Sequence, residues 1–188
     1  MNIIKPFSLL LGVAVAFAIM GNQAFSEPET SAEAPAPVVR TTAEITGVDQ
    51  AKITIMQRPP LDAVKDTPVG QLKNPFNADN KELVELGRKR YLGASCNGCH
   101  GGSGGGGMCP PLSNEVWVYG SDDDTLFRLV SLGSVELTAQ TGLSRKGREN
   151  VVGPMPPHGT IVKTEEDLWK IITFIRSNYR GDPAKKTW

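Results

Sequence analysis

Two cysteines and a histidine stand within five consecutive residues, Cys96-Asn97-Gly98-Cys99-His100. The spacing C-x-x-C-H is typical of covalent haem attachment. Two thiols at this separation can add across the two vinyl groups on one edge of a haem, and the adjacent imidazole then lies beneath the iron as its proximal ligand. We therefore predict that Cys96, Cys99 and His100 bind one covalent haem c.

Three other chemistries fit parts of this motif. A thioredoxin-type redox pair needs a βαβ context, which the sequence does not predict. A zinc ion could take Cys96, Cys99, His100 and Cys109 as four nitrogen and sulfur ligands. A structural disulfide between Cys96 and Cys99 would leave the histidine without a role. Haem is the favoured interpretation because covalent haem attachment takes place on the exported side of the membrane, and the start of this chain is typical of an exported protein.

The second axial ligand of the iron decides between an electron carrier and a haem enzyme. Met155 lies in a proline-rich segment, residues 153–157, just before the last predicted helix. A thioether ligand fills the second axial position and raises the reduction potential. We expect His100 and Met155 to be the metal ligands. His158, which would lower the potential, and Met108 are the alternatives.

Four further residues are candidates for contact with the haem. A proximal imidazole needs an acceptor for its second N–H, and the Pro110 carbonyl, ten residues beyond His100, is in a suitable position. Leu112 would then pack on the haem face. Trp117 and Tyr119 could donate hydrogen bonds to haem propionates, which are costly charges near a core unless they are paired.

Three helices are predicted around these residues. The apolar spacing predicts a first helix over 79–92, capped by Asn77 or Asp79, with Gly87 on its buried face. A second helix begins at 121–124 and ends at Gly133. The third covers 165–179 with Thr164 as its N-cap. Glycine inside a helix is unfavourable, so Gly87 indicates a close helix crossing.

The N-terminal part of the chain reads as processing and linker sequence. Residues 1–26 have a short apolar run followed by small residues, which is typical of a secretory signal peptide and predicts export to the periplasm. Residues 27–45 are rich in Glu, Ala and Pro and predict a disordered linker. We expect an extended surface arm over 46–78, the haem-binding domain over 79–182 and a short tail over 183–188.

Composition excludes several classes of protein. The 188 residues include 20 glycines and 14 prolines, above the roughly 7% and 5% that are usual, so a loop-rich backbone is expected. Acidic and basic residues both number 20, which gives no reason to propose nucleic-acid binding. Three cysteines are too few for a disulfide scaffold.

Together these motifs resemble class I cytochrome c. The resemblance rests on the first helix, CNGCH at 96–100, Pro-Pro-Leu at 110–112, Met155 in its proline-rich loop and the final helix. It implies an all-α, class I cytochrome c fold, with three main helices around a covalently bound haem and an N-terminal extension. It also implies one-electron transfer rather than enzymatic catalysis.

A narrower set of motifs is similar to cytochrome c-L. These are CNGCHGG at 96–102, N-x-x-W-x-Y at 114–119, GPM-x-PH at 153–158 and IR-x-x-Y at 175–179. The similarity implies an electron donor that is a PQQ-dependent methanol or alcohol dehydrogenase, and the prolines around Met155 resemble the partners of its lanthanide-dependent type. The acceptor would be a small cytochrome c or an oxidase. We expect a monomer that is free of the membrane after signal cleavage.

Two departures and two alternatives accompany this resemblance. Residue 109 is Cys where the class commonly has Gly, which leaves one thiol after haem attachment, and the chain is near neutral where cytochrome c-L proteins are usually acidic. The alternatives are a haem enzyme such as a peroxidase with a labile sixth ligand, and a fixed cytochrome subunit of a larger respiratory complex.

Overall fold

The computed structural model describes residues 40–146 and 153–188, and within them every regular element is a helix. The predicted signal peptide and residues 27–39 of the predicted linker lie outside the described residues. The all-α prediction is confirmed. The helices are α1 Thr42–Thr46, α2 Gln50–Ile55, α3 Pro60–Asp66, α4 Lys81–Gly93, α5 Asn97–His100, α6 Asp123–Thr141 and α7 Glu165–Ser177, followed by a 3₁₀ turn at Pro183–Lys185.

Side-chain caps set the start of two main helices. The Asn80 side chain accepts a hydrogen bond from the Leu83 N–H at 3.0 Å, so α4 begins after Asn80 rather than after either predicted cap. Thr164 accepts from the Asp167 N–H at 3.1 Å and begins α7 as predicted. Both caps satisfy N–H groups that have no partner within the helix.

Helices α4 and α7 cross closely. A Cβ atom at Gly87 would overlap the Lys170 carbonyl of α7, so only glycine allows the two backbones to approach this far. One turn later, the Tyr91 and Phe174 rings lie 5.1 Å apart. The crossing that Gly87 predicts is therefore present, and aromatic contacts extend it toward the end of α4.

Helix α6 does not end at Gly133 as the sequence predicts. Gly133 adopts a φ of 75°, which breaks the helix, but helical structure resumes and continues to Thr141. A side chain at Gly133 would lie 2.7 Å from the Met155 carbonyl oxygen. The break therefore accommodates a neighbouring loop.

The prediction of an extended surface arm over 46–78 is wrong. This segment contains α2 and α3, and the disordered linker predicted up to residue 45 gives way to α1 from Thr42 onward. Pro60 occupies the first turn of α3, where proline is favoured because its missing N–H would have no helical partner. The segment contributes buried apolar side chains to the main core, namely Ile53, Met56, Ala63, Val64, Leu72 and Phe76.

A buried ion pair joins this N-terminal segment to α6. Arg128 contacts Asp124 at 2.8 Å, and the two side chains are only 3% and 5% exposed. The Arg128 guanidinium also donates to the Val64 and Thr67 carbonyls, at 3.0 and 2.6 Å. Asp124 in turn accepts from the Leu72 N–H at 3.1 Å. The pair itself lies within α6, and each of its two side chains also bonds the main chain of the N-terminal segment, so it fixes the position of that segment on α6.

The C-terminal residues pack on an aromatic cluster. The Trp188 ring lies 5.4 Å from Trp117 and 5.2 Å from Tyr179, both in edge-on contact. The Arg176 guanidinium lies 5.0 Å from the Trp188 ring centroid. Trp188 therefore packs on Trp117, although the sequence predicts only a tail over 183–188.

The crossing of α4 and α7 generates the first prediction. Gly87→Ala should lower the free energy of unfolding by about 1–3 kcal/mol, the usual cost of overpacking, because the added methyl overlaps a backbone carbonyl. Gly93→Ala is the matched control, since nothing lies within 4 Å of its Cβ position in the same helix. Thermal unfolding measures both. Equal melting temperatures for the two variants would contradict the tight crossing.

The second prediction concerns the buried ion pair. Arg128→Met leaves the Asp124 carboxylate buried without its cation, so the free energy of unfolding should fall by about 3–5 kcal/mol. Arg88→Met breaks the exposed pair between Arg88 and Glu85, whose side chains are 44% and 47% exposed, and should leave the denaturation midpoint unchanged. Urea unfolding of both variants measures the difference.

Acid should weaken the same contact. Burial alone would raise the pKa of the Asp124 carboxyl, but hydrogen bonds from Arg128, Gly70 and Leu72 bring that pKa below its ordinary value. The stability that a depressed pKa supplies is complete above the unfolded-state pKa of about 3.9 and disappears as pH falls through the folded-state pKa. In Asp124→Asn this part of the acid dependence should be missing, whatever the overall loss of stability.

Candidate functional site

A short helix carries the cysteines and the histidine. After α4 the chain reverses through Ser95, whose φ is 60°, and the Cys96 N–H donates back to the Tyr91 carbonyl at 3.2 Å. The His100 N–H then donates to the Cys96 carbonyl at 3.0 Å, which closes one helical turn. This turn brings Cys96, Cys99 and His100 to the wall of a single cavity.

The His100 ring is oriented by one hydrogen bond. Its Nδ1 lies 2.9 Å from the Pro110 carbonyl oxygen, and because a carbonyl can only accept, Nδ1 carries the hydrogen. Burial lowers the pKa of His100, which favours the neutral imidazole. The remaining nitrogen, Nε2, therefore keeps a lone pair for a metal. This is the hydrogen bond that the sequence predicts.

No disulfide links Cys96, Cys99 and Cys109. Burial raises the pKa of Cys96 to about 11, so this thiol is protonated near neutral pH. Cys109 lies beside Cys99, to whose carbonyl its N–H donates at 3.1 Å. Burial and a hydrogen bond with the Cys99 thiol raise the pKa of Cys109.

A zinc site formed by these cysteines and His100 is not supported. Over residues 40–146 and 153–188, no three side chains of His, Cys, Asp or Glu converge as metal ligands. All four residues of the zinc alternative lie in these ranges.

The segment 153–159, here named the methionine loop, forms another side of the cavity. Met155 lines it, and main-chain hydrogen bonds dock the loop on α6 at the Gly133 break. His158 also lines the cavity, with Nδ1 2.9 Å from the Pro156 carbonyl oxygen. Met108 does not line it and is 61% exposed. Of the three candidate sixth ligands, Met108 is thus the one outside the cavity.

All eight predicted cofactor-contacting residues line this one cavity. Its walls are completed by apolar side chains of α6 and α7, namely Leu126, Leu129, Val130, Ile171, Ile172 and Ile175. Trp117 Nε1 is buried and has no hydrogen-bond partner in the described part of the chain. An indole N–H without a partner is costly, so it indicates an acceptor supplied by a bound group.

Comparison with known proteins agrees with this site. The sequence model of the family described as Cytochrome c matches residues 84–178, which include most of α4, the cysteine motif, the methionine loop and all of α7. The chain belongs to the cytochrome c family. The chain is an electron-transfer protein and not an enzyme, and its cytochrome c domain implies haem c as the cofactor.

One curated protein and two solved structures that resemble this chain are cytochrome c-L proteins. Cytochrome c-L of Methylorubrum extorquens is 25% identical over 193 aligned positions, which cover 100% of this chain and 84% of the relative. Among solved structures, cytochrome cL of Hyphomicrobium denitrificans is 26% identical over 70% of each chain, with a TM-score of 0.46. Cytochrome cL of the marine methylotroph Methylophaga aminisulfidivorans is 22% identical, with a TM-score of 0.42, over 57% of this chain and 61% of that one.

The cavity suits the haem c of the cytochrome c family. A haem has a flat apolar body and two anionic propionates on one edge. The isoleucines, leucines and valine of α6 and α7 match the body, and the unpartnered Trp117 N–H matches a propionate oxygen. Tyr119 and Arg145 line the same cavity and supply further polar groups.

Sequence reasoning missed two residues that build this cytochrome site. The Tyr91 hydroxyl donates to the Gly101 carbonyl at 2.7 Å and so fixes the exit of α5. The Ser134 hydroxyl accepts from the Met155 N–H at 3.0 Å. Gly133 next to Ser134 could have signalled such a contact, because glycine inside a helical pattern often marks a close approach of backbone.

No helix in the described residues of this cytochrome is both long and apolar enough to cross a bilayer.

Proposed function

We propose that the protein is a periplasmic one-electron carrier with a single covalent haem c, reduced by a PQQ-dependent methanol or alcohol dehydrogenase. The observation that carries the proposal is that one cavity is lined by two thiols, an oriented imidazole and a methionine thioether. These are the groups needed to attach a haem and to fill both axial positions of its iron.

The residues divide this task by their chemistry. Cys96 and Cys99 would hold the haem through thioether bonds, formed by addition of each S–H across a vinyl group. His100 would bind the iron through Nε2, because Nδ1 donates to the Pro110 carbonyl. Leu112 would cover the haem face, and Trp117 and Tyr119 would face the propionates. When bound, the haem supplies a reversible one-electron couple.

Met155 favours a carrier over a peroxidase-like enzyme. A thioether is a soft, neutral donor that stabilises Fe(II) and leaves no open coordination position for peroxide or O₂. The prolines on both sides of Met155 stiffen the loop, and hydrogen bonds to α6 hold it at the cavity. The chain therefore holds the sixth ligand firmly, which an enzyme with an exchangeable ligand would not need.

The partners are inferred from the resemblance to cytochrome c-L. The match to cytochrome c-L of Methylorubrum extorquens spans the whole chain and supports a methanol-oxidising donor. We infer that a two-electron quinol in the dehydrogenase is reoxidised in two steps, each by one oxidised cytochrome. A small cytochrome c or an oxidase would then accept the electron. The signal-like segment over 1–26 supports the periplasmic site of this reaction.

Stopped-flow reduction tests the donor. The purified oxidised holoprotein is mixed with reduced methanol dehydrogenase loaded with calcium or with a lanthanide, and reduction is followed in the visible haem bands. We expect fast reduction that saturates with dehydrogenase concentration. A PQQ glucose dehydrogenase is the control and should react slowly. Equal rates for both enzymes would contradict a methanol-oxidising partner.

Substitution of the sixth ligand tests the carrier mechanism. Met155→Ala should open the iron, so that the reduced protein binds CO and the weak sulfur-to-iron charge-transfer band of the oxidised protein disappears. The reduction potential should fall because the thioether no longer favours Fe(II). Visible spectroscopy and potentiometric titration measure these changes.

Met108→Ala is the matched control because Met108 is exposed and does not line the cavity. It should keep the charge-transfer band and exclude CO. CO binding by the unmodified reduced protein, at the level of Met155→Ala, would contradict Met155 as a ligand. His158→Ala separates the remaining alternative in the same assay.

A further inference from the structure

The break in α6 at Gly133 is filled by the methionine loop. In an unbroken helix, the Ser134 N–H would donate to the Val130 carbonyl four residues earlier. Here it donates to the Met155 carbonyl at 2.9 Å instead. The Val130 and Ser131 carbonyls accept from the His158 and Gly159 N–H groups, at 2.9 and 3.1 Å. The loop thus replaces hydrogen bonds that the helix gives up.

Ser134 makes a second contact that involves its side chain. Its hydroxyl accepts from the Met155 N–H at 3.0 Å, while its own N–H donates to the Met155 carbonyl. Both main-chain polar groups of Met155 are therefore held by one residue of α6. Ser134 is only 4% exposed and lines the cavity.

The loop sequence makes this side-chain contact important. Pro154, Pro156 and Pro157 have no N–H, so Met155 supplies the one main-chain donor between residues 154 and 157. That donor is directed at the Ser134 hydroxyl. Without the hydroxyl, the Met155 N–H would lose its partner. The hydrogen bond from the Ser134 N–H to the Met155 carbonyl would then be the one that still holds the Met155 main chain on α6.

We propose that Ser134 is the positioning residue for the sixth iron ligand: its hydroxyl holds the Met155 backbone so that the thioether stays on the iron. This inference rests on the proposed role of Met155 as a ligand. Ser134 does not touch the iron itself, and its effect passes through the Met155 main chain. The expected consequence is a ligand that dissociates rarely.

Cyanide binding to the oxidised holoprotein tests this role. When both axial positions of the iron are filled, cyanide binds only after the thioether dissociates. At low cyanide concentration the binding rate is therefore proportional to the opening equilibrium, that is, to the fraction of protein in which the thioether has left the iron. Loss of one neutral hydrogen bond changes such an equilibrium by about fivefold to tenfold. Ser134→Ala should therefore bind cyanide about fivefold to tenfold faster than the unmodified protein, and Ser134→Thr, which retains a hydroxyl, should restore a slow rate.

Ser131→Ala is the matched control. Ser131 is fully buried on the same helix, and its hydroxyl donates to the Phe127 carbonyl at 2.8 Å without contacting the methionine loop. This variant loses a comparable hydrogen bond and should lower the melting temperature without changing the cyanide rate. If Ser134→Ala does not accumulate, Ser134→Cys against Ser131→Cys gives the same comparison, because sulfur is a weak acceptor.

The outcomes separate this proposal from the one on which it rests. Equal cyanide rates in the Ser134 and Ser131 variants, with the charge-transfer band of the unmodified protein intact, overturn the role of Ser134 alone. An unmodified protein that lacks this band and binds cyanide at once overturns Met155 as the ligand and the role of Ser134 together.

Discussion

The site depends on the close contact between α4 and α7 that the absence of a side chain at Gly87 allows. This absence lets α4 lie against the Lys170 carbonyl of α7. Helix α4 leads within three residues to the first cysteine, and α7 supplies isoleucines to the cavity wall. The distance between the attachment segment and the wall is therefore set at a helix crossing outside the cavity. The contact between the Gly87 and Lys170 backbones therefore also constrains the position of a cofactor that fills the cavity.

Local signals predicted the parts of the structure that local chemistry controls. The start of α7 at Thr164, the crossing at Gly87 and the hydrogen bond from His100 to Pro110 depend on short spacings and turn or cap residues. The N-terminal helices could not be predicted in this way. Residues 42–66 form short helices, too weak to be stable alone, and partners such as Arg128 lie some 60 positions away. The same holds for Ser134, whose partner is 21 residues distant.

Two buried polar sites differ in whether the polypeptide satisfies their hydrogen bonds. The buried charges of Asp124 and Arg128 are satisfied entirely by the polypeptide. The Trp117 indole N–H is not satisfied by any described residue, although Trp188 and Tyr179 pack around its ring. The polypeptide thus completes its own structural ion pair, whereas we propose that the cofactor supplies the acceptor for the Trp117 N–H. On that proposal, cofactor binding adds to the stability of the fold at Trp117.

Because of the break at Gly133, a straight α6 and a methionine loop docked on α6 are mutually exclusive conformations. In a straight α6 the Ser134 N–H would donate to the Val130 carbonyl. It could then no longer donate to the Met155 carbonyl. Regular helix and docked loop compete for the same backbone atoms. An alanine or leucine at position 133 would favour the straight helix, because a φ of 75° is unfavourable for both residues. Raising helix propensity at this one position would therefore expel the loop, and a change that stabilises an isolated helix would damage the folded protein.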